Sequence, residues 1–308
     1  MKISHLRTYL KVASTGSFTR AAQELFMTQP TVTHHIQSLE QELGHQLFIR
    51  STSNIRLTSE GKYLVQKSNE IFRIIDEIKG SSTGQDKGIC GALNIAASSV
   101  MGDYYLPEIL KIIIEQYPNI EIKLHFGTAY TIATWVQNGF VDIGLAPLSP
   151  GFSRLNFTPL VVEPCVLAIS TSRYDLYRKE LENGNFTNQP FILREKGTKI
   201  HDLAMKWLKK QSCYSDLRTP IILSNMESIK NLVLTDAGVT IIPRRCVMQQ
   251  IQNGTMIDAK SYIPIEDINY FQIERKNENQ SEAIILFKRL LNDNTIQAKL
   301  SKQLRTKV

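Results

Sequence analysis

The stretch from Ser17 to Leu43, SFTRAAQELFMTQPTVTHHIQSLEQEL, constrains this chain more than any other. Val32, Ile36, Leu39 and Leu43 recur at helical spacing, so they share one apolar face of a helix. The opposite face carries Gln29, Thr33, His34 and Gln37, none of them a carboxylate. Amides, hydroxyls and cations are the groups that read base edges, and a helix has the width of the major groove. Pro30 falls in the first turn, where its missing N–H costs nothing, and Thr28 is a good N-cap before it. Upstream, Ser17 caps a shorter helix with Phe18, Ala21, Ala22 and Leu25 facing inward, the paired alanines letting two helices cross closely. Phe26 and Met27 lead into the turn between them. The pattern is that of a helix-turn-helix, although an ordinary amphipathic helix with a polar outer face satisfies the same spacing.

The flanks extend the pattern. Residues 4–14 form a first helix with a buried stripe of Leu6, Tyr9, Leu10 and Ala13, ended by Gly16. After Gly44, Leu47-Phe48-Ile49 and Ile55-Arg56-Leu57 are short strand-like runs around a polar Ser51–Asn54 tip, which is a hairpin, or wing. Arg50 and Arg56 put a cation on each limb, suited to phosphates or the minor groove. Thr58 caps a longer helix from Ser59 to Lys79. Its stripe of Leu64, Lys67, Ile71, Ile74 and Ile78, with Lys67 as the charged exception, reads as a coiled-coil-like dimerisation helix or as a helix packed on its own protein. The run GSSTGQDKGICG then marks a flexible hinge and a domain boundary.

From Ala92 strands and helices alternate. Strands are expected at Leu93–Ala97, Ile120–Phe126 and Val141–Ala146, with helices at Tyr104–Tyr117 and Tyr130–Asn138 between them. The pattern repeats after Pro164: strands at Val166–Ser170, Phe191–Leu193, Ile221–Leu223 and Val239–Ile242, and helices at Tyr174–Glu182, Lys199–Lys210 and Ser228–Asp236. A strand at Asn269–Glu274 and a long helix at Ser281–Gln303 finish the chain. This order predicts two α/β lobes with mostly parallel sheets, and a cleft at the strand ends where ligands bind. The expected layout is a DNA-binding domain over 1–58, a linker and dimerisation segment over 59–90, and an effector-binding domain over 91–308. Its first lobe takes 91–163 and 265–308, and its second takes 164–264.

Composition fits a chain of this kind without deciding it. The net charge of +7 suits a polyanionic partner, and residues 1–57 are the more basic part, with six Lys/Arg against three Asp/Glu. Cys90, Cys165, Cys213 and Cys246 have neither CxxC nor metal-ligand spacing, so reduced, mostly buried thiols are expected, with a redox-sensing thiol as the alternative. The N-terminus lacks a signal-peptide run and no 18-residue apolar span occurs, so the expectation is a soluble cytoplasmic protein that does not engage a membrane. No catalytic set, Gly-rich nucleotide loop or metal cluster stands out, and neither an enzyme activity nor a cofactor is expected.

Over residues 2–62 the sequence SFTRAAQELFMTQPTVTHHIQSLEQELGHQLFIR, followed by RLTSEG, resembles the LysR-type transcriptional regulators, nearly without gaps. The remainder is similar to that family's effector domain, built like a periplasmic solute-binding protein, on its β/α order and on GFVDIGLAP and LTDAGVTIIPR. The resemblance implies a winged helix-turn-helix, a linker helix and a two-lobed α/β effector domain. It implies a homodimer or homotetramer on an inverted-repeat operator in double-stranded DNA, contact with RNA polymerase, and a switch driven by a small molecule between the lobes. By position, Gln29, Pro30, Thr33, His34 and Gln37 would meet the major groove, and Arg50, Ser53 and Arg56 the backbone or minor groove. His34 and His35 are less usual there, which puts the bases read in question more than DNA binding itself.

The family's ligand contacts fall here on Ser98, Ser99 and Val100, on Gly127 and Thr128, on Thr198, and on Asn225 and Met226. Hydroxyls and free N–H groups at helix starts form an anion site, and Arg194, Lys196 and Lys199 add charge. The expected effector is a small anion, a carboxylate or an inorganic oxyanion. Taken singly, each hydroxyl also reads as a helix cap.

Overall fold

The computed structural model describes residues 1–50, 55–81, 89–148, 151–183, 189–210, 220–259, 264–276 and 280–298. Helices α1 (Ile3–Thr15), α2 (Phe18–Glu24) and α3 (Gln29–Leu43) pack on one another and on the hairpin of β1 (Phe48–Arg50) and β2 (Ile55–Leu57). Local chemistry sets each boundary. Gly16 and Gly44 take left-handed φ values of 63° and 74° to end α1 and α3, while the Ser17 and Thr28 side chains accept from the Arg20 and Thr31 N–H groups. The core is Leu6, Tyr9, Val12, Ala21, Val32, Ile36, Leu39 and Leu47. Leu43 lies outside it, exposed beside the Gly44 cap.

Helix α4 (Ser59–Ser81) leaves this core through Gly61, whose carbonyl accepts from the buried Tyr9 hydroxyl. A Cβ there would stand 2.3 Å from the Leu47 carbonyl oxygen, so only glycine lets α4 come this close. The expected dimerisation stripe is divided. Leu64 and Val65 are buried in the winged domain's own core and Ile71 packs against it, whereas Ile74 is 49% exposed. The side chain of Ile78 lies outside the described residues.

The first lobe is a five-stranded sheet in the order β4 (Ile120–Phe126), β3 (Gly91–Ala97), β5 (Ile143–Pro147), β12 (Ile268–Arg275), β6 (Leu155–Glu163). Strands β3, β4 and β5 run parallel; β12 is antiparallel to both neighbours. Helices α5 (Leu106–Gln116), α6 (Ala129–Gln137) and α11 (Glu282–Leu291) cover it. In the second lobe, β7 (Cys165–Ser170) pairs antiparallel with both β10 (Thr240–Pro243) and β11 (Met256–Asp258), while β8 (Ile192–Arg194) and β9 (Ile221–Leu223) form a parallel pair. Helices α7 (Thr171–Glu182), α8 (Lys199–Leu208), α9 (Met226–Leu234) and α10 (Arg244–Gln252) pack around these strands.

Several expectations need correction. The mostly parallel sheet holds for β3–β5 and for β8–β9, but the centre of the second lobe is antiparallel. Strand β6 was not foreseen. Its Pro159 reads as a strand breaker, yet β6 is a sheet edge, where a missing N–H faces no partner, and the register with β12 slips past Leu160. Helix α11 stops at Asn292 instead of running to Gln303, because the Asp293 carboxylate accepts from the Thr295 and Ile296 N–H groups and starts a new turn. The helix expected from Tyr104 begins as a π-turn over Met101–Tyr105 before α5.

One continuous apolar core joins the two lobes. Where they meet, Glu163 is wholly buried at the end of β6. It accepts from the Tyr105 hydroxyl and, at 2.9 Å, from the Arg245 backbone N–H, with the Arg245 Nε 3.5 Å away and its guanidinium stacked 4.1 Å over the Tyr105 ring. Burial pulls the Glu163 carboxyl above the ordinary carboxylate range, against the hydrogen bonds and positive charge of Tyr105 and Arg245.

Candidate functional site

Two surfaces carry the expected contacts. On the first, Gln29, Pro30, His34 and Gln37 are exposed along the N-terminal half of α3, and Thr33 is half-buried among them. Arg56 is exposed on β2, paired in register with Ile49. Arg50 pairs through its backbone with Ile55, its side chain lying outside the described residues together with Ser53 and the rest of the wing tip. The helix therefore presents amides, an imidazole and a hydroxyl outward, with the apolar face spent on the core.

His35 does not join His34 on that surface. One residue along a helix is a rotation of about 100°, and His35 turns inward to stack on His5 with ring centroids 4.4 Å apart, its Nδ1 2.9 Å from the Thr8 hydroxyl. Burial, followed by the neighbouring positive groups, lowers the pKa of both imidazoles from the usual histidine value. Sequence reasoning missed a second feature. Phe26, in the turn before α3, has φ of 54° and is 98% exposed. A bulky residue in the left-handed region is uncommon, and nothing in the local sequence marks it.

The second surface is a cavity of about 620 Å³ between the lobes. Ser98, Ser99 and Val100 reach it from the end of β3, Thr128 from the start of α6, Thr198 from the start of α8, and Met226 from the start of α9. All six residues expected to contact an effector line this one space, with Gly127 and Asn225; Lys196 does not. Three helix starts thus open onto it, each with N–H groups that lack intrahelical acceptors and the positive end of a dipole. The threonine hydroxyls are already engaged. Thr128 accepts from the Thr131 N–H at 3.2 Å, and Thr198 accepts from the His201 N–H at 3.3 Å while donating to the Glu195 carbonyl at 2.9 Å. They act as caps, so the groups these positions offer a ligand are the backbone N–H groups. The Ser98 hydroxyl, by contrast, is buried with no hydrogen-bond partner.

The charges in the wall are mixed. Arg194 and Lys199 stand there, but so do Asp103, Glu195 and Glu227, which sequence reasoning did not single out. The π-turn brings Asp103 into the cleft, and that irregular turn left no periodic signal. Glu227 accepts from the Tyr104 hydroxyl of the opposite lobe and from Lys230, each at 2.6 Å. Burial opposes ionisation of Glu227, yet these two hydrogen bonds hold its pKa below the ordinary carboxylate range. The floor depends on Gly102: a Cβ there would stand 2.3 Å from Cε1 of Phe126, whose ring also lines the cavity.

Cys165 and Cys246 are buried, and burial pushes both thiols up, away from the reactive thiolate. Cys90 is half-buried, and Cys213 lies outside the described residues. Among the described residues no cluster of three His, Cys, Asp or Glu side chains is placed to hold a metal ion, and no helix is long and apolar enough to cross a membrane.

Residues 3–62 match the family model for the bacterial regulatory helix-turn-helix protein, lysR family, and residues 86–295 match the model for the LysR substrate binding domain. The chain is 29% identical over 266 residues to the uncharacterised HTH-type transcriptional regulator YcgK of Bacillus subtilis, covering 79% of this chain and 80% of the relative. It is 26% identical over 264 residues to the DNA-binding transcriptional dual regulator OxyR of Escherichia coli, covering 86% and 85%. The solved full-length LysG of Corynebacterium glutamicum, with Arg bound as effector, superposes with a TM-score of 0.61 at 16% identity, covering 98% of this chain and 99% of that one. At that identity the likeness speaks to the fold.

Proposed function

The chain belongs to the LysR family of bacterial helix-turn-helix transcriptional regulators, and we propose that it binds an inverted-repeat operator as a homodimer or homotetramer and switches when a small effector with an anionic group enters the cavity between its lobes. The observation that carries this reading is the convergence of the α6, α8 and α9 starts, with Arg194, on one cavity, in a chain whose winged domain presents Gln29, Thr33, His34, Gln37 and Arg56 outward. Backbone N–H groups and helix dipoles at three sides suit a carboxylate or an oxyanion. On the DNA side, the exposed amides and imidazole of α3 are base-edge readers, and the arginines of the wing are phosphate or minor-groove contacts.

Self-association has its own support. Strand β9 is a sheet edge, and Ile221 and Ile222 are exposed on it. Unpaired apolar edges invite a second copy, and Ile74 of α4 is exposed as well. Acting on promoter DNA, such a regulator would work in the cytoplasm and beside RNA polymerase. Burial holds the Cys165 and Cys246 thiols away from the reactive thiolate, so these two do not suit thiol-based redox sensing.

The test is footprinting of the full chain on fragments selected from genomic DNA, with and without carboxylates and oxyanions. A dyad-symmetric footprint whose extent changes with one of them is expected. Binding without sequence preference, or without steep loss in salt, refutes the operator half of the proposal.

A further inference from the structure

The charges of the cleft do not suit an anion alone. Asp103 makes no hydrogen bond or ion pair with any described residue, and it stands across the cleft from Arg194 and Glu227. Burial and the Glu227 carboxylate both raise its pKa, and the Arg194 charge only partly offsets them. The two carboxylates come from opposite lobes, Asp103 from the π-turn after β3 and Glu227 from the first turn of α9. Glu227 is already paired with Lys230, yet its charge still opposes that of Asp103 across the cleft. Helix starts and Arg194 attract an anion on one side, while an unpaired carboxylate waits on the other. An anion without a cation would meet Asp103 as a further like charge.

We propose that the effector is a zwitterion of the free amino-acid class. Its carboxylate lies on the helix starts and the Ser98 hydroxyl, and its ammonium is held between Asp103 and Glu227. This inference rests on the effector cleft proposed above and adds the cationic half of the ligand. It also supplies a reason for lobe movement. An ammonium between Asp103 and Glu227 turns a repulsion between the lobes into a bridge, which favours the closed arrangement over the open one, as a switching ligand must. The Tyr104–Glu227 hydrogen bond already spans the same gap and fixes one carboxylate in position.

Calorimetric titration of the full-length chain separates the two claims. The probes are the proteinogenic amino acids and then, for the tightest of them, the matched 2-hydroxy acid and the matched decarboxylated amine. Simple carboxylates, phosphate and sulfate form a parallel panel. The amino acid is expected to bind roughly 10- to 100-fold more tightly than either analogue, the range for a charge-assisted contact in a partly desolvated site. Asp103→Asn keeps the shape, removes no internal hydrogen bond, and is expected to melt as the parent does. It should erase the preference for the amino acid over the hydroxy acid while leaving the hydroxy acid bound as before. If the hydroxy acid binds as tightly as the amino acid, or Asp103→Asn weakens both equally, the zwitterion is wrong. Binding of simple anions with no amino acid bound overturns this inference and leaves the anion cleft standing. Binding of neither panel overturns both.

Discussion

Replacing Glu163 tests how the two lobes are held together. Its carboxylate is buried against a guanidinium that is itself only 3% exposed. Glu163→Gln keeps the volume but removes the charge, leaving Arg245 as a buried cation facing an amide. Taking one partner from a buried ion pair costs about 3–5 kcal/mol, because the remaining charge stays desolvated. For a domain of this size each kcal/mol lowers the melting temperature by about 2–4 °C, so the drop expected is roughly 6–20 °C. The control is Glu163→Leu with Arg245→Met and Tyr105→Phe, which removes all three polar partners together. Replacing a whole buried ionic set by apolar groups is often near neutral. Here the Arg245 N–H also loses its acceptor, at about 1–3 kcal/mol, so recovery should be large but incomplete. Thermal melts of the full chain at neutral pH, followed by circular dichroism, read both. A single variant melting within about 2–4 °C of the parent, a change of under about 1 kcal/mol, refutes the account. So does a triple variant no more stable than the single one.

The remaining predictions concern the two surfaces. Arg56→Ala should weaken binding to all DNA sequences alike and reduce the salt slope by about one, whereas Gln29→Ala should cost about 1–3 kcal/mol on the preferred site and relax base choice; fluorescence anisotropy on specific and random duplexes distinguishes them. His5 and His35 have folded pKa values below the unfolded one, so the stability they contribute is fully present above about pH 6.5 and is lost as pH falls through the lowered values. Melts of the full chain should therefore fall toward pH 5, and Thr8→Val should alter this dependence by removing the partner of His35. Thr198→Ala should cost about 1 kcal/mol of stability as a lost N-cap while leaving effector affinity nearly intact, because the free N–H groups of α8 remain. Gly102→Ala should do the reverse, displacing the Phe126 ring and weakening the ligand with little loss of stability.

Much of the winged domain was legible because its signals are local. Caps at Ser17 and Thr28, glycines at 16 and 44, and an apolar period over Val32–Leu39 are all written within one or two turns. Placement of Ser98, Ser99, Val100, Thr128, Thr198 and Met226 in one cavity followed from matching strand ends and helix starts to a known layout. Three things escaped for a shared reason. The inward turn of His35 depends on His5, which is thirty positions away. Strand β6 depends on β12, more than a hundred positions later, which accepts a proline-bearing edge. Asp103 enters the cleft through a π-turn that has no period to detect. The first two are decided by a partner distant in sequence and the third by a turn without a period, and a local pattern carries no record of either.

The three helix starts around the cleft have a consequence for how such a receptor can change. On the proposed reading its anchor is main chain, and no single side-chain replacement deletes a backbone N–H other than one to proline. The walls around it, Phe126, Arg194, Met226 and Asp103, are ordinary side chains open to replacement. Substitutions there can exchange one ligand for another while a foothold for its charged end persists through every intermediate. The proposed DNA face of α3 has no such reserve, since each contact proposed for it is a side chain that one mutation removes. A lineage built on this plan can re-aim what it senses in small steps, but it re-aims what it regulates only by first loosening its grip.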